Sequence, residues 1–269
     1  MAKRKQLKPA EACEGLEFVE LGSLVTNSFL GYDYHKIGTL KDVTSKKDTG
    51  YKMITPKFIE LVGGKRVNKG DEYTIKMDST LGTYLFGEKA LKTNDLLFTR
   101  NRLRPCARRL VDGDIGKDTK VASSALFVLR FKDEVTSKYI ESLINSTYCR
   151  LLLESITRFT TNRSISMENL LKIQVPYTKD KNKLEHLTLL YSIDYRPDVV
   201  CDKLREMVEV NKPLVKEISS DFKDREKRLV AVPVKLLEDH GIKKIELIYD
   251  LERAIELNKI ILDEWQFWQ

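Results

Sequence analysis

Short apolar runs bounded by turn formers fill the first two thirds of the chain, and longer stripes at helical spacing fill the rest. Leu96, Leu97 and Phe98 form one such run, which predicts a buried strand. Ser124–Phe131 is the most apolar strand candidate of the chain. Leu16–Val25 predicts a strand that enters a turn at Gly22, and a short strand is expected near Leu40–Val43. Met53–Val62 carries Pro56, which places it at a sheet edge or splits it in two. Tyr73–Met77 alternates as a strand does, and Leu81–Phe86 is a further candidate. Ala107–Val111 predicts a return strand after Leu96–Thr99, and Asp112–Asp114 a turn. Helical spacing follows at Ile140, Leu143, Ile144, Leu151, Leu152 and Ile156, with Thr136 or Ser137 as the N-cap. A helical turn over Met167–Leu171 and a strand over Ile173–Val175, ended by Pro176, close this part.

The pattern changes after Thr178. Lys179–Lys183 predicts a charged linker and Leu184–Ile193 a short helix. From Val199 to Leu229 the apolar positions Val200, Leu204, Met207, Leu214, Ile218, Phe222 and Leu229 fall close to a 3.5-residue period. Asn211 takes one slot on that seam, and Pro213 predicts a kink. A second amphipathic helix is expected from Lys243 to Trp265. Two readings of this region stand side by side: a helical cap on the sheet domain, or a coiled-coil arm that makes a dimer or spaces two modules. The expected fold class is therefore α/β, a mixed α+β domain with a C-terminal long-helix, coiled-coil-like region. Three segments are expected: a basic tail over 1–15, a recognition domain over 16–178, and a helical dimerisation or spacer region over 179–269.

Composition adds a moderate basic excess to this picture. The net charge is +7 and the pI about 9.0, on 32% charged residues. Such a balance suits a polyanionic partner without requiring one. The cysteines Cys13, Cys106, Cys149 and Cys201 are far apart and form no CxxC pair, which argues against a zinc site or a disulfide framework. The basic N-terminus is not followed by the apolar stretch of a secretory signal, and no run reaches the ~20 residues of a membrane span. A cytoplasmic protein with no membrane partner is expected.

The basic residues are unevenly placed. Arg100, Arg102, Arg104, Arg108 and Arg109 lie within ten residues with no acid among them, directly after a predicted buried strand. A rigid strand would thus deliver a loop dense in guanidinium groups, whose donor geometry suits phosphates and the major-groove edge of guanine. The plain alternative is a solvated loop, or arginines paired with acids elsewhere in the fold. Arg100, Arg102 and Arg104 are expected at base edges or phosphates. Arg108, Arg109, Lys65 and Arg66 are expected at phosphates, the last two after the Gly63-Gly64 turn. A second polar segment holds Arg158, Thr160, Thr161, Asn162 and Arg163, whose hydroxyl, amide and guanidinium groups match base edges.

Catalytic motifs are not found. His35, His186 and His240 lack metal-ligand spacing with another His or Cys. Neither a phosphate-binding glycine loop nor a nucleophile elbow occurs, and no methyltransferase tetrapeptide does. The chain reads as a binder, with no catalytic residue, no metal and no cofactor expected.

The order of these features resembles a target recognition domain from the specificity subunit of type I DNA restriction-modification systems. The matching stretches are LGSL (21–24), ALKTNDLLFTR (90–100), SSALFVLRFKDEVTSKYIESLINS (123–146) and SISMENLLKIQVPYT (164–178). Asn94-Asp95 stands where the family usually has Gly-Asp. The resemblance implies a mixed α/β recognition domain joined to a long helix, in a subunit without catalysis. Such a subunit directs a separate methylase (M) subunit, a SAM-dependent DNA adenine methyltransferase, and a nuclease (R) subunit to a bipartite site on double-stranded DNA. Only one recognition domain is present here, so the resemblance implies a half-size form that dimerises through its C-terminal helices, or a single-domain relative. The family usually starts its long helix with Glu-Gln, whereas KDKNKLEHLTLLYSIDYRPD intervenes here. Two other readings stay open: a phage-defence accessory protein that binds nucleic acid, and a small metal-dependent nuclease.

Overall fold

The computed structural model describes residues 7–33, 43–46, 49–59, 61–62, 65–66, 72–75, 89–100, 106–158, 164–192 and 198–229. The chain divides into two compact units, Met1–Leu214 and Val215–Gln269. The first is a mixed α/β unit that extends well past the expected boundary at Thr178.

Its N-terminal stretch is not only a tail. Residues Pro9–Cys13 form a short helix (α1), with Ala12 fully buried. β1 (Glu17–Glu20) follows, then a single helical turn, α2 (Leu21–Leu24), and β2 (Val25–Leu30). The strand expected over Leu16–Val25 is thus two strands joined by a turn of helix. Pro56 does split its segment, into β3 (Tyr51–Ile54), a 3₁₀ turn (Pro56–Ile59) and β4 (Leu61–Val62). β5 (Lys65–Arg66) pairs with β4, and β6 (Glu72–Thr74) pairs with β3. The expected strand at 81–86 lies outside the described residues, as do positions 40–42.

The organising hairpin is β7 (Leu96–Thr99) and β8 (Ala107–Arg109), followed by one helical turn, α3 (Asp112–Ile115). β9 (Thr119–Ala122) runs parallel to β3, and β10 (Leu126–Phe131) lies between β2 and β7. The result is an antiparallel sheet in the order β2-β10-β7-β8 beside a smaller sheet in the order β6-β3-β9. Continuous apolar runs make sense for β7 and β10 because they are the central strands. Leu97, Leu126 and Val128 pack with Ile54, Phe58, Ile59, Leu91, Cys106, Leu110 and Ala122 on one face. Phe98 and Phe127 point to the other face and stack at 6.5 Å. Each such buried side chain contributes about 1.5–3 kcal/mol.

One helix expected from Thr136 to Ile156 is two: α4 (Glu134–Ile144) and α5 (Thr147–Arg158). Asp133, rather than Thr136 or Ser137, is the N-cap, and its carboxylate accepts the Thr136 N–H at 3.0 Å. The break falls at Asn145 because its amide has another task. It accepts the Ala107 N–H at 3.1 Å and donates to the Ala107 carbonyl at 2.8 Å, so it closes the open edge of β8. Glu141 adds to this by accepting the Arg109 N–H at 3.0 Å.

The same device recurs after α6 (Met167–Leu171) at β11 (Gln174–Tyr177), which pairs with β1. Pro176 does not end this strand. It sits with its missing N–H on the outer edge, where its carbonyl accepts the Tyr139 hydroxyl. Asn211 serves the rest of that edge: it accepts the Gln174 N–H and donates to the Gln174 carbonyl, both at 2.8 Å. Asn211 therefore is not a seam residue of a coiled coil. It is 1% exposed and marks the break between α8 (Asp198–Val210), which follows α7 (Lys181–Ser192), and α9 (Lys212–Leu229). Pro213 falls in the first turn of α9, directly after the interruption at Asn211, where a missing N–H costs nothing. Lys181–Lys183, expected in a linker, begin α7. The stripe Val200, Leu204 and Met207 is fully buried, and α8 packs on α1, α5 and β11. The helix expected over 243–265 lies outside the described residues.

Asn94 has φ +71°, and no other described residue apart from glycines adopts a positive φ. Its amide oxygen accepts Arg109 Nη1 at 2.6 Å, and its carbonyl accepts the Ser137 hydroxyl at 2.8 Å. Left-handed backbone costs a β-carbon residue about 1–2 kcal/mol, and asparagine less. Asn94→Ala is accordingly expected to lower stability by about 1–2 kcal/mol. Asn94→Gly should lose less, since glycine accepts the φ angle but not the Arg109 contact. Urea unfolding of both variants checks this order.

Candidate nucleic-acid interface

The β7–β8 hairpin sets the geometry of the arginine-rich segment. Its neck is closed by Thr99 and Cys106. The Cys106 N–H donates to Thr99 Oγ1 at 2.8 Å, and the Thr99 N–H donates to the Cys106 carbonyl at 3.0 Å. Thr99 is fully buried, so this neck belongs to the core. Residues 101–105, with Arg102 and Arg104, lie outside the described residues.

Arg100 leaves the sheet at this neck and is held on both sides of its backbone. Its N–H donates to the Ala125 carbonyl at 3.0 Å, and its carbonyl accepts the Ile165 N–H at 3.3 Å. Its guanidinium carbon lies 5.8 Å from the centre of the Phe127 ring. The hydrogen bond to Ile165 matters because Ile165 lies two residues after Arg163, the last of the second polar segment. Thr160, Thr161, Asn162 and Arg163 lie outside the described residues, and the backbone of Arg158 closes α5 just before them. The two segments expected to read bases are about 60 residues apart in sequence, yet the fold anchors their ends to each other.

Arg108 and Arg109 need correcting. They are expected at phosphates, but both guanidinium groups are engaged inside the fold. Arg108 donates to Asp114 at 2.5 Å and to the Phe58 carbonyl at 2.8 Å, and lies 4.1 Å from the Phe58 ring centre. Arg109 meets Asn94 at 2.6 Å, Glu134 at 3.5 Å and Glu141 at 4.0 Å. Their side chains are 13% and 11% exposed. The physical reason is that three acids from α3 and α4 fold back onto β8 and neutralise it. The backbone of Lys65 and Arg66 forms β5, paired with β4.

Sequence reasoning did not single out the residues that support this arrangement. Arg130 is one: its Nε and Nη2 donate to the two oxygens of Asp95 at 2.9 and 3.1 Å. An arginine inside the most apolar strand was the signal, since a buried charge demands a buried partner. Burial pushes the Asp95 carboxyl above its usual range, against the hydrogen bonds from Arg130 and the Lys92 N–H. Ile165 and Phe127 are two more, and an apolar residue directly after a polar loop was the only trace of the first.

Charge is divided between the units. Residues 215–269 hold ten basic and twelve acidic side chains, so the whole basic excess of the chain sits in the first unit. Among the described residues no group of three or more His, Cys, Asp or Glu side chains is placed to hold a metal ion, and no helix is long and apolar enough to cross a membrane. No family model matches the chain, and no curated protein matches it significantly.

Proposed function

We propose that this chain is a DNA-sequence-recognition subunit without catalysis, which directs a separate methylase to its target, as the resemblance to type I specificity subunits implies. The observation that carries the reading is the hydrogen bond between Arg100 and Ile165. It ties the residue that opens one segment expected to read bases to a residue just after the other, an arrangement that suits recognition of adjacent base pairs. Two further features support it. The basic excess of the first unit suits a DNA backbone. The left-handed conformation of Asn94 explains how asparagine stands at a position where the family has glycine. In this reading the second unit supplies the coiled-coil-like arm, through which a half-size subunit forms a homodimer, and the methylase and nuclease subunits are the protein partners in the cytoplasm.

The test is a map of N6-methyladenine in host cells with the gene, without it, and with the variant Arg100→Ala, Arg102→Ala, Arg104→Ala restored to it. Deletion is expected to erase methylation at one motif, and the triple variant to leave it erased. The purified variant should melt at the wild-type temperature and lose DNA affinity about tenfold or more at matched salt. An unchanged map on deletion, or unchanged affinity in the variant, sinks the reading.

A further inference from the structure

We infer that Arg100 is a specificity-determining residue that reads the edge of a guanine, an assignment that rests on the DNA-recognition reading above. Among the described arginines of the hairpin, the guanidinium groups divide by what they already hold. Those of Arg108 and Arg109 are spent on acids of the fold. That of Arg100 has no ion pair and no hydrogen-bond acceptor among the described residues. Its Nε is buried without a hydrogen bond, as are those of Arg108 and Arg109, but no acid of the fold holds the rest of its guanidinium among the described residues.

A phosphate contact asks only for positive charge near the backbone, and a side chain that turns freely supplies it. Base reading asks for a donor pair held at a set angle. Arg100 meets that condition three times over. Its backbone is tied to Ala125, directly before β10, and to Ile165. Its guanidinium rests on Phe127, which is 3% exposed and itself stacked on Phe98, so the platform does not move. With Nε buried, the Nη pair is the donor edge left for a ligand, and such a pair matches the O6 and N7 acceptors of guanine in the major groove. A fork ordered before binding loses less entropy when it docks. Phe127 is thus a positioning residue, acting through Arg100.

The methylation map decides this with single variants. In deletion cells restored with Arg100→Lys, which keeps the charge and loses the fork, one guanine of the motif is expected to become degenerate. Methylated sites with another base at that position should rise about tenfold or more relative to wild type. Arg100→Ala should relax the same position. If both variants keep that guanine and weaken methylation evenly over all sites, Arg100 is a backbone contact and the inference is overturned. A motif that contains no guanine overturns it equally. A map that deletion itself leaves unchanged fails at the earlier step and removes the DNA-recognition reading instead.

Discussion

Replacing Arg130 with methionine lowers the unfolding free energy by about 3–5 kcal/mol. Asp95 is only 2% exposed, and both of its oxygens depend on Arg130. The same guanidinium also donates to the Ala90 carbonyl and lies 5.0 Å from the Phe29 ring centre. Methionine fills much of the space but strands a carboxylate in the core, with the Lys92 N–H as a remaining donor at 2.8 Å. The double variant Arg130→Met, Asp95→Asn removes the stranded charge and should recover a large part of the loss. The pH dependence has a definite sign. A carboxyl whose folded pKa is raised binds its proton more tightly in the native state. Its contribution to stability is therefore greatest below the ordinary aspartate value and is lost as pH rises through the raised one. In Arg130→Met the carboxyl loses its main opposing influence, so the deficit against wild type should shrink from about pH 7 to about pH 4. Urea unfolding at both pH values checks this. Equal losses in the single and double variants, or a deficit that grows on acidification, would contradict the account.

Gly31→Ala is expected to cost about 3 kcal/mol or more and to send much of the expressed chain into the insoluble fraction. A β-carbon there would stand 2.1 Å from the Ser123 carbonyl oxygen and 2.5 Å from that of Ala122. Both atoms are backbone, and the backbone cannot give way. The Tyr32 N–H donates to Ala122 at 2.6 Å, the Ser123 N–H to Ile54 at 2.8 Å, and the Ser124 N–H to Tyr32 at 2.8 Å. These bonds hold together the place where the end of β2 crosses the step from β9 to β10. Gly113→Ala is the matched control, because nothing lies within 4 Å of its β-carbon position and it sits in a helical turn. It should leave the melting temperature unchanged or slightly raised. A Gly31→Ala variant that melts like wild type would mean that the crossing is looser than these distances require.

These two sites differ in how far they could be read in advance. Leu96–Phe98 and Leu126–Leu129 are legible as central strands, since only a strand covered on both faces needs an unbroken apolar run. Arg130, at the end of the second run, carries no local sign of its partner 35 residues away. The arginine cluster shows the same limit. Its density is plain in the sequence, yet Arg108 and Arg109 are separated from Arg100 only by acids that arrive from α3 and α4. The helix breaks at Asn145 and Asn211 interrupt otherwise regular stripes, because each amide serves the edge of a strand distant in sequence. Pro176 reads as a breaker for the same reason: the cost of a missing N–H in a strand depends on which way it faces.

Local chemistry in the chain therefore determined which segments are strands and helices, that a mixed α/β unit forms, and where basic side chains are concentrated. Period, apolar content and capping act over a few residues, so they survive without knowledge of neighbours. The tertiary structure alone decided which of the described cations are held by acids of the fold, which edges are closed by asparagine, and that Arg100 and Ile165 meet. Burial and pairing are properties of segments brought together across the fold, and a charge's role is set by what reaches it there.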